Sequence, residues 1–155
     1  MKTAPITLLD YYVTDMSVTA NREFAYDKPL DIRSRDFSVT PSVMRVALEN
    51  EPRRWQVTLE IKNILNPGIN SPYAYRFILV GFFRAEASVT PENEERTVRI
   101  QGASVLYGMA REIVRAMTGR GPHRAVLLPT VSFYDPPSPQ PKPTNTPAPS
   151  SDLAP

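Results

Sequence analysis

The sequence contains no cysteine and only one histidine, His123. Without cysteine there is no thiol nucleophile, no disulfide and no thiolate ligand, and one histidine cannot form a metal site by itself. A lone general base needs an oriented partner in a pocket, and the sequence shows none beside His123. A phosphate-binding loop, a dinucleotide fingerprint and a nucleophile elbow are also missing. We therefore expect a protein that is not an enzyme and has no cofactor or metal.

Long apolar runs and a strong net charge are missing too. No stretch approaches the roughly 18 apolar residues of a membrane span, and Asp10 interrupts the apolar segment near the N-terminus, which argues against a signal peptide. The formal net charge is +2, and charges of both signs are interspersed along the chain, which predicts no nucleic-acid partner. The expectation is a cytoplasmic protein without membrane insertion.

Proline, by contrast, is abundant and unevenly placed. Eight of the 17 prolines fall between residues 136 and 155, a segment with one large apolar side chain, Leu153. Such a segment cannot bury enough surface to offset the loss of chain entropy. We predict a folded domain over residues 1–135 and a disordered, proline-rich tail over residues 136–155.

Four segments have the patterns of principal strands. "RRWQVTLEIKNIL" (53–65) alternates apolar and polar residues with a period of two, as a strand with one buried face does. "VMRVALE" (43–49) precedes it and predicts a hairpin through "NEPRR", with a short extra strand near "RDFSVTP". "ITLLDYYVTDMSVTA" (6–20) loses its alternation around Thr14, which indicates a bulge.

The fourth segment, "YAYRFILVGFFRAEA" (73–87), is apolar at both parities. A strand of this kind is covered on both faces, by a core on one side and by a helix or partner subunit on the other. Gly81 within it indicates a bulge or a close backbone approach.

"GASVLYGMAREIVRAMTGRGPHRAVLLPTVSFYD" (102–135) predicts a helix followed by an extended apolar arm, residues 124–134. Ser104 is an acceptable N-cap, and the acidic run "PENEER" before it reads as a solvated turn. Gly119 and Gly121 can adopt left-handed conformations that end the helix, and Pro122 prevents it from resuming. Gly108 is either merely tolerated or marks a place where another backbone crosses.

Together these elements predict an α+β fold, a four-stranded antiparallel sheet with one main helix on one face. A single helix hardly covers a sheet of that width, so the uncovered surface is expected to form a subunit interface or a binding surface.

The helix and arm resemble the signature of the SecB family of export chaperones. The matching positions are an apolar–aromatic pair, an Ala-Arg-Glu within the helix, an Arg-Gly at its end and a Leu-x-Pro-x-Val-x-Phe arm: Leu106, Tyr107, Ala110, Arg111, Glu112, Arg120, Gly121, Leu127, Pro129, Val131 and Phe133. "VTDMSVTA" (13–20) and "GFF" (81–83) resemble two of the family's strand motifs. The resemblance implies an ATP-independent holdase, assembled as a dimer or dimer of dimers, that binds unfolded or nonnative proteins in apolar grooves.

Candidate contacts for such clients are aromatic, thioether or aliphatic side chains, which suit a surface that accepts many sequences. They are Phe82, Phe83, Tyr107, Met109, Met117, Leu127, Val131, Phe133 and Tyr134. Ordinary core or dimer packing is an equally good interpretation for any one of them.

Two departures from the family pattern bear on function. The prolines after residue 135 exclude the second helix that flanks the family's groove. Of the acidic positions with which SecB docks onto the SecA motor, Asp15 matches, whereas the other two carry Thr19 and Arg76, which should weaken that docking. The client is then either an export precursor or a dedicated protein such as the antitoxin of a toxin–antitoxin pair. The alternative is an oligomeric interaction adaptor without general chaperone activity.

Overall fold

The computed structural model describes residues 4–30, 37–65 and 68–134. They contain four strands, β1 (Ile6–Ala20), β2 (Phe37–Arg45), β3 (Arg54–Asn63) and β4 (Tyr73–Ala85), and one α-helix, α1 (Glu94–Thr118). The strands form one antiparallel sheet in the order β1-β4-β3-β2. The predicted fold class is thus confirmed, whereas the predicted tail and the missing second helix lie outside the described residues.

The core lies between α1 and one face of the sheet. Every second residue of β3, from Trp55 to Asn63, is buried, so the alternation that predicted this strand also identifies the face under the helix. From α1 the core receives Val98, Ala103, Leu106, Tyr107, Ala110 and Val114. The opposite side of the sheet, here called the outer face, carries the other parity of β3 and β4.

The central strand β4 requires a glycine at position 81, because other side chains pack closely against its backbone there. A Cβ on Gly81 would lie 2.8 Å from Cε2 of Phe83 and 2.9 Å from Cδ2 of Leu106 on the helix. Of the two interpretations of Gly81, the close approach is therefore the one that holds, since its pairing with Val57 and Tyr11 is continuous.

The first strand is irregular where the sequence loses its alternation. The register between β1 and β4 shifts between Val13 and Asp15, which confirms the predicted bulge at Thr14, and shifts again between Leu8 and Asp10. Because a bulge changes which side chains face the core, Met16 lies opposite Phe77 on the helix side of the sheet.

The prediction for β2 was wrong in its bounds. One strand, Phe37–Arg45, pairs with β3 over its whole length, so the short extra strand and the start of "VMRVALE" belong to a single element. Pro41 in its middle is accommodated because β2 is an edge strand, where one side of the backbone needs no hydrogen-bond donor. The hairpin is present, but its turn extends from Val46 to Arg53.

The prediction for the start of the helix was wrong by eleven residues, because the N-cap is Asn93 and not Ser104. The first half of "PENEER", Pro91–Asn93, is an exposed 3-10 turn as predicted, but the helix begins at Glu94 within its second half. Glu94 is 4 % exposed; its carboxylate accepts hydrogen bonds from Arg53 Nε at 2.6 Å and Trp55 Nε1 at 3.1 Å. Ser104 lies within the helix, where its hydroxyl donates to the Ile100 carbonyl.

The two glycines after the helix do not act as left-handed stops. Gly119 has φ −66°, and Gly68 is the only described residue recorded with a positive φ. Gly121 is required for space, because a Cβ there would collide with the Tyr73 hydroxyl. At Gly108, no described atom outside its own helix backbone and chain neighbours lies within 4 Å of a Cβ, so no other described backbone crosses there.

Candidate binding surfaces

The arm returns along the helix and is fixed to it at three points. The Tyr107 hydroxyl donates to the Pro129 carbonyl at 2.5 Å, and the Val126 N–H donates to the Thr118 hydroxyl at 2.9 Å. Leu128 is 1 % exposed and packs into the core. Towards its end the arm reaches the first turns of α1, where the guanidinium of Arg96 lies over the Tyr134 ring at 5.9 Å from its centroid.

The base of the arm is held by Tyr73 of β4. Its hydroxyl lies 3.0 Å from the Thr118 carbonyl and 3.1 Å from the His123 carbonyl, and it accepts the His123 N–H at 3.0 Å. Together with the close approach of Gly121, these bonds direct the chain back along α1 instead of away from the domain.

The single histidine also has a structural place. His123 Nε2 lies 2.9 Å from the Asn21 carbonyl, and Nδ1 lies 2.8 Å from the Tyr26 hydroxyl. Its ring packs edge-on against Phe24 and Tyr73, with centroids 5.1 Å and 5.4 Å away. His123 therefore joins the segment after β1 to the base of the arm.

Between helix and arm lies a small cavity of about 190 Å³. Its walls combine aromatic, aliphatic and small polar groups with one cation: Ser104, Tyr107, Gly108, Arg111, Thr130, Val131 and Phe133. The rings of Tyr107 and Phe133 meet edge to face at a centroid distance of 5.9 Å. Nε of Arg111 is buried and has no hydrogen-bond partner among the described residues.

The hydroxyl groups near this cavity stay protonated at physiological pH. Burial raises the pKa of Tyr107, an effect that the Arg111 cation partly opposes. Burial also raises the pKa of Tyr75, and Tyr107 adds to that shift. The Tyr107 hydroxyl already donates to Pro129 and the Tyr75 hydroxyl is buried without a partner among the described residues, so neither tyrosine brings a negative charge to this region.

The structure separates eight of the nine predicted apolar contacts into three groups. Phe83 and Tyr107 belong to the core, with 0 % and 5 % of their surfaces exposed, so Phe83 offers nothing to a ligand. Met109, Met117, Val131 and Phe133 are half-buried against the core. Leu127 and Tyr134, on the arm, are 59 % and 62 % exposed.

Phe82 forms a different surface altogether. It lies on the outer face of the sheet, where Arg54 stacks 4.9 Å above its ring and Tyr12 lies 6.1 Å away. The structure thus brings Tyr107, Val131 and Phe133 together at one cavity and leaves Phe82 on the other side of the sheet.

Sequence reasoning missed several exposed apolar side chains, including Tyr11 and Met16, and one cation. Tyr11 and Met16 are 43 % and 49 % exposed, although their register places them on the helix side of the edge strand β1. The change of parity at the bulges is the signal that could have identified them. Arg111 was identified only as part of the family's helix signature and not as a ligand-binding group.

The three predicted docking residues do share one face. Asp15, Thr19 and Arg76 lie on the outer face, opposite or beside Ile78, Ala74 and Ser17. Arg76 is already engaged there, because its guanidinium binds the Asp15 carboxylate and also Glu60 Oε1 at 3.0 Å. The outer face therefore presents a cluster in which one cation is already bound between two carboxylates.

Two solved structures have a fold similar to that of this chain. A SecB-like chaperone from Mycobacterium tuberculosis, solved with a ChAD peptide from the HigA1 antitoxin, superimposes with a TM-score of 0.62 at 20 % identity, covering 85 % of this chain and 94 % of that one. A Streptococcus agalactiae protein of unknown function gives a TM-score of 0.51 at 9 % identity, with coverages of 81 % and 97 %. No protein-family model and no curated protein sequence matches the chain. The likeness confirms a SecB-like fold.

Two further searches concern other classes of site. Within residues 4–30, 37–65 and 68–134, no helix is both long and apolar enough to cross a membrane. The same residues contain no group of three or more histidine or carboxylate side chains placed to hold a metal ion.

Proposed function

We propose that this protein, which has a SecB-like fold, is an ATP-independent chaperone that holds nonnative polypeptides against its helix and arm. The observation that carries the proposal is the contrast between buried and exposed apolar side chains within the arm. Leu128 anchors it in the core, while its neighbour Leu127 and the terminal Tyr134 remain largely exposed. An arm that is fixed yet presents apolar groups is suited to take up apolar segments of another chain.

The fold supports the same proposal from another direction. The Mycobacterium tuberculosis chaperone with this fold was solved with an antitoxin peptide, which shows that a SecB-like scaffold can bind such a segment. Since Thr19 and Arg76 stand where the SecB family has carboxylates, docking onto SecA should be weak. We therefore favour a dedicated client, such as an antitoxin, over general export precursors.

The uncovered edge of the domain supports self-association. Tyr11 and Met16 lie exposed on the helix side of β1, an edge strand. Apolar groups at such an edge are commonly covered by a second subunit. We expect light scattering to give a dimer or a dimer of dimers at micromolar concentration, and a monodisperse monomer would contradict this assembly.

Holdase activity can be tested by aggregation suppression. The purified chain, without nucleotide, should prevent a chemically denatured client from aggregating at near-stoichiometric ratio. The double variant Leu127→Ser with Tyr134→Ser should lose most of that protection. Leu48→Ser is the matched control, because Leu48 is similarly exposed, at 55 %, but lies in the β2–β3 turn.

The outcomes separate the two candidate functions. Protection that the arm variant loses and the Leu48 variant retains supports the chaperone. No protection at several-fold excess would favour the oligomeric adaptor, for which the proline-rich tail is a candidate ligand of a groove-type partner.

A further inference from the structure

The positive charge of the protein is concentrated in the helix and arm. From the start of the helix at Glu94 to Tyr134 at the end of the arm, the sequence has six arginines against three acidic residues, Glu94, Glu95 and Glu112. The arginines are Arg96, Arg99, Arg111, Arg115, Arg120 and Arg124. Any chain that lies along this part of the surface meets a field that attracts anions.

Among these arginines, Arg111 lines the cavity between helix and arm. It shares that cavity with Tyr107, Val131 and Phe133. Its Nε has no exposed surface and no described acceptor. Arg111 takes part in none of the ion pairs found among the described residues, so an anionic group that enters the cavity can form a charge-assisted hydrogen bond with the part of the guanidinium that lines it.

The shape of the cavity limits what that acceptor can be. A volume of about 190 Å³ is below the roughly 300 to 1,000 Å³ typical of sites for small-molecule ligands. It is large enough for a side chain that enters from a bound polypeptide. Gly108 leaves its rim open, since outside its own helix backbone no described atom approaches the position of a Cβ there.

We infer that the cavity between helix and arm selects client segments in which a carboxylate side chain accompanies large apolar ones. The carboxylate accepts from the Arg111 guanidinium, and the neighbouring apolar groups of the client pack against Val131, Phe133 and the exposed Leu127. This inference rests on the proposed chaperone function and specifies its substrate class: acidic–apolar polypeptide segments.

A nucleic acid fits these observations less well. Its backbone requires a row of accessible cations along an open track, and Arg111 is recessed among apolar groups. The shallow depression near the end of α1, which includes Arg115 and Arg120, also contains the acidic Glu112. The lining of the cavity therefore favours a protein segment.

The test compares two labelled peptides that differ in one group. Both are short, extended and rich in Phe and Leu; one has a central Glu and the other a central Gln. Fluorescence anisotropy with the full chain at low salt should show about tenfold tighter binding of the Glu peptide, the scale of one charge-assisted hydrogen bond. The preference should shrink as salt is raised, because the site is only partly buried.

Variants then assign the preference to a residue. Arg111→Gln should abolish the difference between the peptides while retaining affinity for the Gln peptide, and Arg111→Lys should restore part of it, since it keeps the charge but not the planar fork. Arg84→Gln is the control, because Arg84 lies on the outer face beside Glu86. Circular dichroism verifies that each variant is folded.

Each other outcome overturns the inference in a recognisable way. Equal binding of the two peptides by the unmodified chain refutes the acidic preference but leaves the chaperone function standing. Binding of neither peptide, together with absent aggregation suppression, refutes both. Displacement of the Glu peptide by a single-stranded oligonucleotide at lower concentration than by unlabelled peptide identifies a nucleic-acid site. Dissociation of the oligomer in Arg111→Gln, with an unchanged peptide preference, assigns Arg111 to a subunit interface.

Discussion

The two sides of the domain use arginine in opposite ways. On the outer face, Arg76 binds two carboxylates, those of Asp15 and Glu60. On the helix side, Arg111 lines the cavity between helix and arm and takes part in none of the ion pairs found among the described residues. A cation with its partners in place has little to offer a ligand, whereas a cation without an ion-pair partner attracts one. The difference indicates that binding specificity resides on the helix side.

The same contrast holds for apolar groups. On the arm, Leu128 is buried in the core, whereas the adjacent Leu127 is exposed to solvent. On the outer face, Phe82 is half-buried beneath Arg54 and beside Tyr12. Phe82 is thus partly covered by its neighbours on the outer face, whereas Leu127 on the arm is not.

The largest effect is expected at the anchor of the arm. Leu128→Ala removes a side chain that is 1 % exposed and should lower the free energy of unfolding by about 3 kcal/mol, as lost burial and a cavity combine. Leu127→Ala, at 59 % exposure, should leave stability nearly unchanged and weaken client binding. Urea denaturation with a parallel binding assay measures both. Equal destabilisation by the two changes would mean that Leu128 does not anchor the arm more than Leu127 does.

The next effect concerns the buried ion pair that begins the helix. Glu94→Gln removes the charge that holds Arg53 at 2.6 Å and weakens the bond to Trp55. We expect a loss of about 2 kcal/mol, because Arg53 is left partly buried without its anion. Glu92→Gln, on the exposed 3-10 turn, is the control and should have a minor effect by thermal unfolding. A Glu94 variant as stable as the unmodified chain would show that the pair does not fix the start of the helix.

A smaller effect is expected on the outer face. If Thr19 and Arg76 occupy a docking surface for SecA, the native protein should bind that motor weakly or not at all. Thr19→Glu with Arg76→Glu should strengthen binding by about 1 kcal/mol per site, and the gain should fall as salt is raised. Calorimetry at low and moderate salt measures it. Tight binding of SecA by the unmodified protein would favour export precursors over a dedicated client.

The smallest effect is expected from the tail. Deletion of residues 136–155 should leave the melting temperature nearly unchanged, because the sequence there contains so little apolar surface to pack. Calorimetric unfolding of the full and shortened chains is the comparison. A drop of many degrees would mean that the tail covers part of the domain.

Much of the sheet was readable from the sequence. The period-two alternation from Trp55 to Ile61 identified β3 and its buried face, and the loss of alternation at Thr14 identified a bulge. Such patterns are local: each residue's neighbours in the chain decide which face it takes. The Ala-Arg-Glu sequence in the helix and the apolar arm likewise indicated a SecB-like fold from the sequence alone.

Tertiary structure alone decided the contacts between distant segments. Glu94 begins the helix because Arg53 and Trp55, which are 41 and 39 residues away in sequence, meet its carboxylate. Arg76 is engaged because the strand register brings Asp15 and Glu60 next to it. Arg111 lines a cavity because the arm folds back beside the helix. Periodicity determines which face a side chain occupies, but the partner that it meets there depends on register and chain return, which short-range pattern does not encode.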